Sequence, residues 1–242
     1  MDPEARHIHK NRTRHQDGYR AHLAFEPEAG LITAVALTGG TGADNHEAAV
    51  ARDLLAGQDT DLTVLGDTAY SATDLREHLH EHGHDLVIEP PPLTPAVPGG
   101  FTLDDFTLDQ DAGTVTCPAG VTQPMSKTRT VTFGAACAGC PLPPRCTTRK
   151  DRRPVTIHPH EHLLREARAQ ARTGAFKRAY PTRSAIERII AWTAIQNARR
   201  VRLRYFGAAK NDAWLHNRCA AINLRTLLRH GLTRRDGAWV LA

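Results

Sequence analysis

An apolar run at residues 62–65 ends on Gly66 and Asp67, and it lies between two segments with helical periodicity. The first of these segments begins at Asp44 or Asn45 and continues to about Gly57, and the second begins at Thr73 or Asp74. A short, partly β-branched apolar run between two helices is typical of a buried parallel strand. This arrangement favours a layered α/β fold over an all-helical or all-β fold.

Two further strand patterns precede this run, and one follows it. Residues 19–25 and 31–38 alternate in side-chain size on either side of the turn residues 26–30, which predicts a β-hairpin. Residues 85–89 form another short apolar run, closed by three prolines. The predicted order is β-β-α-β-α-β, an α/β sheet with an antiparallel hairpin on one side.

The remaining chain changes character twice. Residues 1–18 are polar and basic without a period, and we interpret them as a loop or basic arm ahead of the α/β segment 19–89. Residues 90–156 are rich in proline and carry four of the five cysteines, which indicates an inserted module. Residues 157–242 are helical, with helices predicted at about 160–172, 181–200 and 213–230.

The charge distribution indicates a polyanionic partner. The formal net charge is +5 and the pI is about 9.1, and the arginines concentrate in the first 20 residues and between Arg145 and Arg235. Such asymmetry suits nucleic acid. No apolar run is long enough to cross a membrane and the first residues do not form a signal peptide, so we expect a cytoplasmic protein.

Two carboxylates have positions suited to catalysis. Asp67 follows a predicted strand, where α/β sheets place reactive groups, although it could instead cap the next turn. Tyr180, Arg183 and Glu187 share one face of a predicted helix. Ser184 with Glu187 could instead form a helix-capping box. Converging carboxylates are the ligands that Mg²⁺ prefers, and two such ions support phosphodiester chemistry.

Three elements together resemble the DDE transposases of bacterial insertion sequences, whose catalytic domain has a ribonuclease-H-like fold. These elements are the strand Gly18-Tyr19-Arg20-Ala21-His22-Leu23 leading into residues 30–34, the motif Gly66-Asp67-Thr68-Ala69-Tyr70, and the signature Tyr180-x-x-Arg183-x-x-x-Glu187. The resemblance covers nearly the whole chain. It implies that Asp67 and Glu187 are the second and third catalytic acids, which bind Mg²⁺ or Mn²⁺. It also implies that Arg183 contacts a DNA phosphate, that Tyr180 packs against it or against DNA, and that a homodimer is a candidate assembly on DNA.

The chain departs from that family in two places. The signature usually continues to a basic residue seven positions after the glutamate, and here that residue is Ala194. The family's first catalytic aspartate lies on a central strand ahead of the hairpin, and Asp2 is a poor substitute because no β-like run surrounds it. We therefore expect a ribonuclease-H-like sheet without its first strand, an N-terminally truncated copy, and impaired activity.

Four cysteines within the module predict a structural zinc site. Cys137-x-x-Cys140 can form one chelating turn, and Cys117 and Cys146 can complete a tetrahedral set from either side. The resemblance also implies such an insert between the second and third acids. Reduced thiols and disulfides are the alternatives. Cys219, on an apolar helix, is expected to be a buried core thiol.

The last basic run follows the predicted helix at 181–200. It consists of Arg199, Arg200, Arg202 and Arg204. We expect these residues to contact DNA phosphates, and a solvated helix end is the alternative. Two other functions stay open, namely another ribonuclease-H-like nuclease and a non-catalytic DNA-binding or zinc-binding protein.

Overall fold

The computed structural model describes residues 2–9, 15–58, 61–149, 153–196 and 199–241. The chain divides into two compact units. The first combines Met1–Glu89 with Ala171–Ala242, and the second is Pro90–Gln170, so the second interrupts the first along the chain. Within the described ranges, no helix has the length and apolarity needed to cross a membrane.

The first unit begins with an antiparallel sheet. Its strands are, in order, β1 (Arg6–His9), β2 (His15–Glu26) and β3 (Leu31–Gly39). The turn between β2 and β3 is closed by the Gly30 N–H, which donates to the Glu26 carbonyl at 2.9 Å. Gly30 has φ of 69°, a conformation that glycine adopts without steric cost. The predicted hairpin is therefore confirmed.

A long helix, α7 (Ala208–Arg229), packs on β3. Its Asn223 side chain accepts from the Ile32 N–H at 2.9 Å and donates to the Ile32 carbonyl at 2.7 Å. Asp212 on the same helix accepts from the Leu37 N–H at 2.8 Å. These side chains take the place of a neighbouring strand along the outer edge of β3. The associated core is formed by five buried residues, Ile32, Ile189, Leu215, Cys219 and Ile222.

The second part of this unit is a parallel strand pair with two helices. The strands are β4 (Thr63–Gly66) and β5 (Asp85–Ile88), and the helices are α1 (Glu47–Leu55) and α2 (Thr73–Glu81). Their buried core is Ala48, Leu75, Leu79 and Ile88. Arg76 is buried on α2 and donates to the Ile88 carbonyl at 2.7 Å, and burial lowers its pKa to about 10. The predicted α/β order is confirmed, although among described residues β4 and β5 form a sheet separate from β1–β3.

The helix predicted for residues 181–200 is shorter than expected. The chain forms α5 (Gly174–Ala179), a 3-10 turn (Tyr180–Ser184) and α6 (Ala185–Ala194). Residues Ile195–Gln196 and Arg199–Arg200 then pair as β11 and β12. Arg218 from α7 explains this end, because its guanidinium donates to the carbonyls of Trp192, Thr193 and Ile195 at 2.7–2.9 Å. It thereby satisfies acceptors that a longer helix would have paired internally.

The first residues also differ from the loop that the sequence predicts. Residues 6–9 pair with residues 15–18, whereas Lys10, Arg12 and Arg14 lie outside the described residues. Asp2 accepts from the Gly207 N–H at 3.0 Å, and Glu4 accepts from the Ala208 N–H at 2.8 Å. The two carboxylates therefore cap the N-terminus of α7, where unpaired N–H groups favour negative charge. The Tyr19 hydroxyl donates to Asp2 at 2.7 Å and lowers the pKa of that carboxyl.

The second unit has its own core. Its short strands and helices are β6 (Thr107–Asp109), β7 (Thr114–Thr116), β8 (Thr122–Pro124), β9 (Thr130–Thr132), α3 (Pro143–Cys146), β10 (Pro154–Thr156) and α4 (Glu161–Ala171). The buried residues are Phe106, Val115, Val131, Phe133, Val155 and Ile157. Buried Arg168 on α4 pairs with buried Glu161 and with Asp104. The unit extends to Gln170, beyond the boundary at 156 that composition indicates. The chain ends with β13 (Thr233–Arg235) and β14 (Ala238–Val240) in the first unit.

Replacing Asn223 tests the capping of the β3 edge. Asn223→Ala removes both hydrogen bonds to Ile32 and leaves that N–H and carbonyl without partners, so we expect unfolding free energy to fall by about 2 kcal/mol. Asn217→Ala is the matched control, because Asn217 is exposed on the same helix. Chemical denaturation of both variants measures the difference. Equal stability of the two variants would contradict the role assigned to Asn223.

Candidate active site

Asp67 lies directly after β4, at the carboxyl end of the strand. Its backbone is extended, with φ of −84° and ψ of −176°, and its Oδ1 accepts from the Ala69 N–H at 2.9 Å. The carboxylate therefore caps the 3-10 turn Thr68–Tyr70, the alternative role that the sequence left open, while the side chain is exposed. A Cβ at position 66 would lie 3.0 Å from the Tyr70 Cβ, a tight contact, so Gly66 leaves room for the turn to pass close to the strand.

A second acid, Glu89, lies at the same edge of the sheet. The parallel register pairs Gly66 with Ile88, so the next residues, Asp67 and Glu89, leave adjacent strands at their carboxyl ends. The Glu89 N–H donates to the Gly66 carbonyl at 3.4 Å. The sequence reasoning did not select Glu89. The available signal was a carboxylate immediately after the apolar run of β5, the same pattern that identified Asp67.

Tyr180 connects the downstream signature to this edge. Its hydroxyl donates to Glu89 Oε2 at 2.8 Å. Its ring stacks on Phe176 with centroids 5.2 Å apart, and the Arg183 guanidinium lies 5.3 Å from the ring centroid on its face. Burial, and then the hydrogen bond with Glu89, raise the pKa of Tyr180, so the phenol stays protonated and donates at neutral pH.

Glu187 lies in the first turn of α6 with 65% of its side chain exposed, and its Oε1 is 3.8 Å from the nearest Arg183 guanidinium nitrogen. Ser184 makes no side-chain capping bond and already has helical backbone angles. The capping box considered from the sequence is therefore not formed, and the Glu187 carboxylate faces Arg183 and solvent.

The 3-10 turn Tyr180–Ser184 contacts β4, the strand that leads to Asp67. Within the described part of the chain, however, no three His, Cys, Asp or Glu side chains are arranged to hold a metal ion. The predicted magnesium ligands Asp67 and Glu187 therefore do not belong to a group of three such side chains among the described residues. Asp67 Oδ1 accepts from a turn N–H, and Glu187 is exposed beside Arg183.

The predicted zinc ligands lie around one cavity of about 30 Å³ in the second unit. They are Cys117, Cys137, Cys140 and Cys146. The Cys140 sulfur accepts from the Leu142 N–H at 3.4 Å, and burial raises the pKa of the Cys146 thiol. All are thiols rather than disulfides.

These four thiols suit zinc by donor type and by convergence, but among the described residues they do not form a metal-ligand arrangement. The prediction of an assembled zinc site is therefore not confirmed. Cys117, Cys137 and Cys146 pack against the apolar core of this unit. Cys219 is buried in the first unit as expected, and burial raises its pKa to about 11.

The predicted DNA-contacting arginines after α6 are exposed where they are described. Arg199, Arg202 and Arg204 are all exposed, and the side chain of Arg200 lies outside the described part. Arg199 belongs to the short strand β12, and Arg202 and Arg204 lie in the segment that leads to α7. Exposed guanidinium groups on a non-helical segment are accessible to a phosphate backbone, although solvation alone would place them equally well.

Comparison with known proteins gives one family match. Residues 116–228 match the family described as Transposase DDE domain. This region includes the four-cysteine segment and the signature Tyr180, Arg183 and Glu187, but not Asp67 or Glu89. No curated protein and no solved structure matches the chain. The match spans slightly less than half of the 242 residues, and over that region the chain is similar to DDE transposases.

Proposed function

We propose that this protein acts in DNA transposition, by metal-dependent phosphodiester cleavage and strand transfer at the ends of an insertion sequence. The single observation that carries the proposal is the hydrogen bond from Tyr180 to Glu89. It joins the signature turn, which lies within the matched family region, to the sheet edge that bears Asp67. The same edge and turn are where the resemblance places the second and third acids.

In this proposal the chain's own residues bind and orient the DNA backbone. Arg183 lies beside Glu187 and donates to a phosphate near the scissile bond, and the Tyr180 ring supports its guanidinium. Asp67 and Glu187 would hold Mg²⁺ or Mn²⁺ through their carboxylate oxygens. The bound ions supply activation of the attacking oxygen and stabilisation of the leaving oxygen. Arg199, Arg200, Arg202 and Arg204 add sequence-independent phosphate contacts.

Open strand edges support a ribonuclease-H-like sheet that takes one more strand. The Leu37 N–H donates to Asp212 and so points away from β2. Its partner in the antiparallel ladder, Ala21, therefore directs its own N–H and carbonyl away from β3, and Leu23, two residues on, does the same. In the parallel ladder, the outer edge of β4 is likewise formed by Thr63 and Leu65. Among the described residues, β1 pairs with β2 at residues 15–18 and not at Ala21 or Leu23, and β4 pairs with β5 alone.

We propose that a strand carrying the first aspartate pairs at these edges. A site with only Asp67 and Glu187 would bind metal weakly, so we expect impaired activity from these residues alone. With the first aspartate added, three carboxylates would converge on the metal ions. DNA is the proposed partner, and a homodimer is the proposed assembly on it.

A second candidate is a non-catalytic DNA-binding or zinc-binding role. The observation favouring a non-catalytic DNA-binding role is that the described carboxylates form no group of three metal ligands, and the four cysteines around one cavity favour a zinc-binding role. Another ribonuclease-H-like nuclease would share the acids but would hydrolyse DNA without joining ends. Joining of cut ends therefore separates the proposed function from both alternatives.

Metal binding tests the two carboxylates directly. We expect Asp67→Asn and Glu187→Gln each to weaken Mn²⁺ binding by about 10-fold or more, because each removes a charged oxygen ligand. Titration followed by electron paramagnetic resonance measures the free ion. Asp85→Asn is the control, since Asp85 is an exposed acid at the opposite end of β5. Unchanged affinity in both site variants would contradict the assignment.

Zinc binding is a separate proposal for the four-cysteine segment. We expect elemental analysis to find one zinc per chain, and chelation to lower the melting temperature, because ligand thiolates stabilise the folded unit through the metal. Cys140→Ser should lose the metal, whereas Cys219→Ala should keep it, since Cys219 lies in the other unit. Absence of zinc from the protein as purified and after zinc addition would rule out the site.

A further inference from the structure

Glu89 is a carboxylate that the sequence patterns did not single out. It lies outside the region matched by the family, at the carboxyl end of β5 beside Asp67. One of its carboxylate oxygens accepts the Tyr180 hydroxyl, from a residue 91 positions later in the chain. This hydrogen bond joins the turn Tyr180–Ser184 to the residue that directly follows β5.

The turn Tyr180–Ser184 runs directly from α5 into α6, and backbone hydrogen bonds join it to both helices. Thr173 caps α5 by accepting from the Phe176 N–H at 3.2 Å, and Phe176 stacks on Tyr180. These contacts place the Tyr180 ring on α5, and the hydrogen bond to Glu89 ties the same ring to the residue that follows β5.

We propose that Glu89 is a positioning residue that fixes the Tyr180–Glu187 segment at the sheet edge bearing Asp67. Glu89 holds the Tyr180 hydroxyl, the Tyr180 ring carries the Arg183 guanidinium on its face, and Arg183 lies 3.8 Å from Glu187. Each contact orders the next side chain. This role rests on the proposed function for its purpose, but the contact itself is tested without DNA or metal.

Comparing Glu89 with its amide variant Glu89→Gln distinguishes a positioning role from metal binding. Glu89→Gln keeps an oxygen that accepts from Tyr180 but loses the charge that a metal ion requires. Glu89→Ala loses both, and Tyr180→Phe loses the hydroxyl alone. Glu28→Ala is the matched control, because Glu28 is an exposed acid in the β2–β3 turn.

Hydrogen–deuterium exchange of peptides covering residues 176–190 measures the order of the turn. We expect Glu89→Ala and Tyr180→Phe each to speed exchange there by about fivefold, the size expected for one lost hydrogen bond. The double variant should exchange no faster than either single variant, because both remove the same contact. Glu89→Gln and Glu28→Ala should stay within about twofold of the parent protein, since neither removes that contact.

Three results would overturn the proposal. They are unchanged exchange in Glu89→Ala, exchange in Glu89→Gln equal to that in Glu89→Ala, and Mn²⁺ binding in Glu89→Gln weakened as much as in Asp67→Asn, which would make Glu89 a ligand. If exchange follows the expectation but no strand transfer is found in a completed protein, the positioning contact stands and the proposed function fails. The two failures are therefore distinguishable.

Discussion

The arrangement of the first unit depends on how the edges of its strands are satisfied. A strand edge presents unpaired N–H and carbonyl groups, which need partners or become pairing sites. On β3 the partners come from α7, where Asn223 and Asp212 hydrogen-bond Ile32 and Leu37. The sheet therefore ends at β3. On the other side of β3, β2 pairs with β3 at residues 19–26 and with β1 at residues 15–18.

Strand pairing also determines where the acidic side chains lie. Parallel pairing of β4 and β5 brings Asp67 and Glu89 to one edge, and the bond from Tyr180 attaches the distant signature turn there. The carboxylates are nevertheless not arranged as a metal site among the described residues. The fold therefore places Asp67 and Glu89 at one sheet edge with the Tyr180–Ser184 turn attached to it, and the catalytic role of Asp67 and Glu187 is our proposal.

Sequence patterns were sufficient to predict those elements that depend only on neighbouring residues in the chain. The hairpin around Gly30 and the strand ending at Asp67 follow from turn chemistry and apolar runs. Long-range contacts could not be read in this way. The end of α6 at Ala194 depends on Arg218, the cap of α7 on Asp2 and Glu4, and the placement of Tyr180 on Glu89. In each case the two residues in contact lie more than 20 positions apart in the sequence. Their residue types alone do not indicate that they meet.

We propose that Asp67 and Glu187 serve one phosphoryl-transfer site. A strand-transfer assay with Mg²⁺ tests this pairing, using the protein extended by the proposed strand that ends in aspartate. We expect joining of cut DNA ends that depends on Mg²⁺ and disappears in Asp67→Asn and in Glu187→Gln. No joining by the extended protein, or joining that persists in both variants, would refute the shared site.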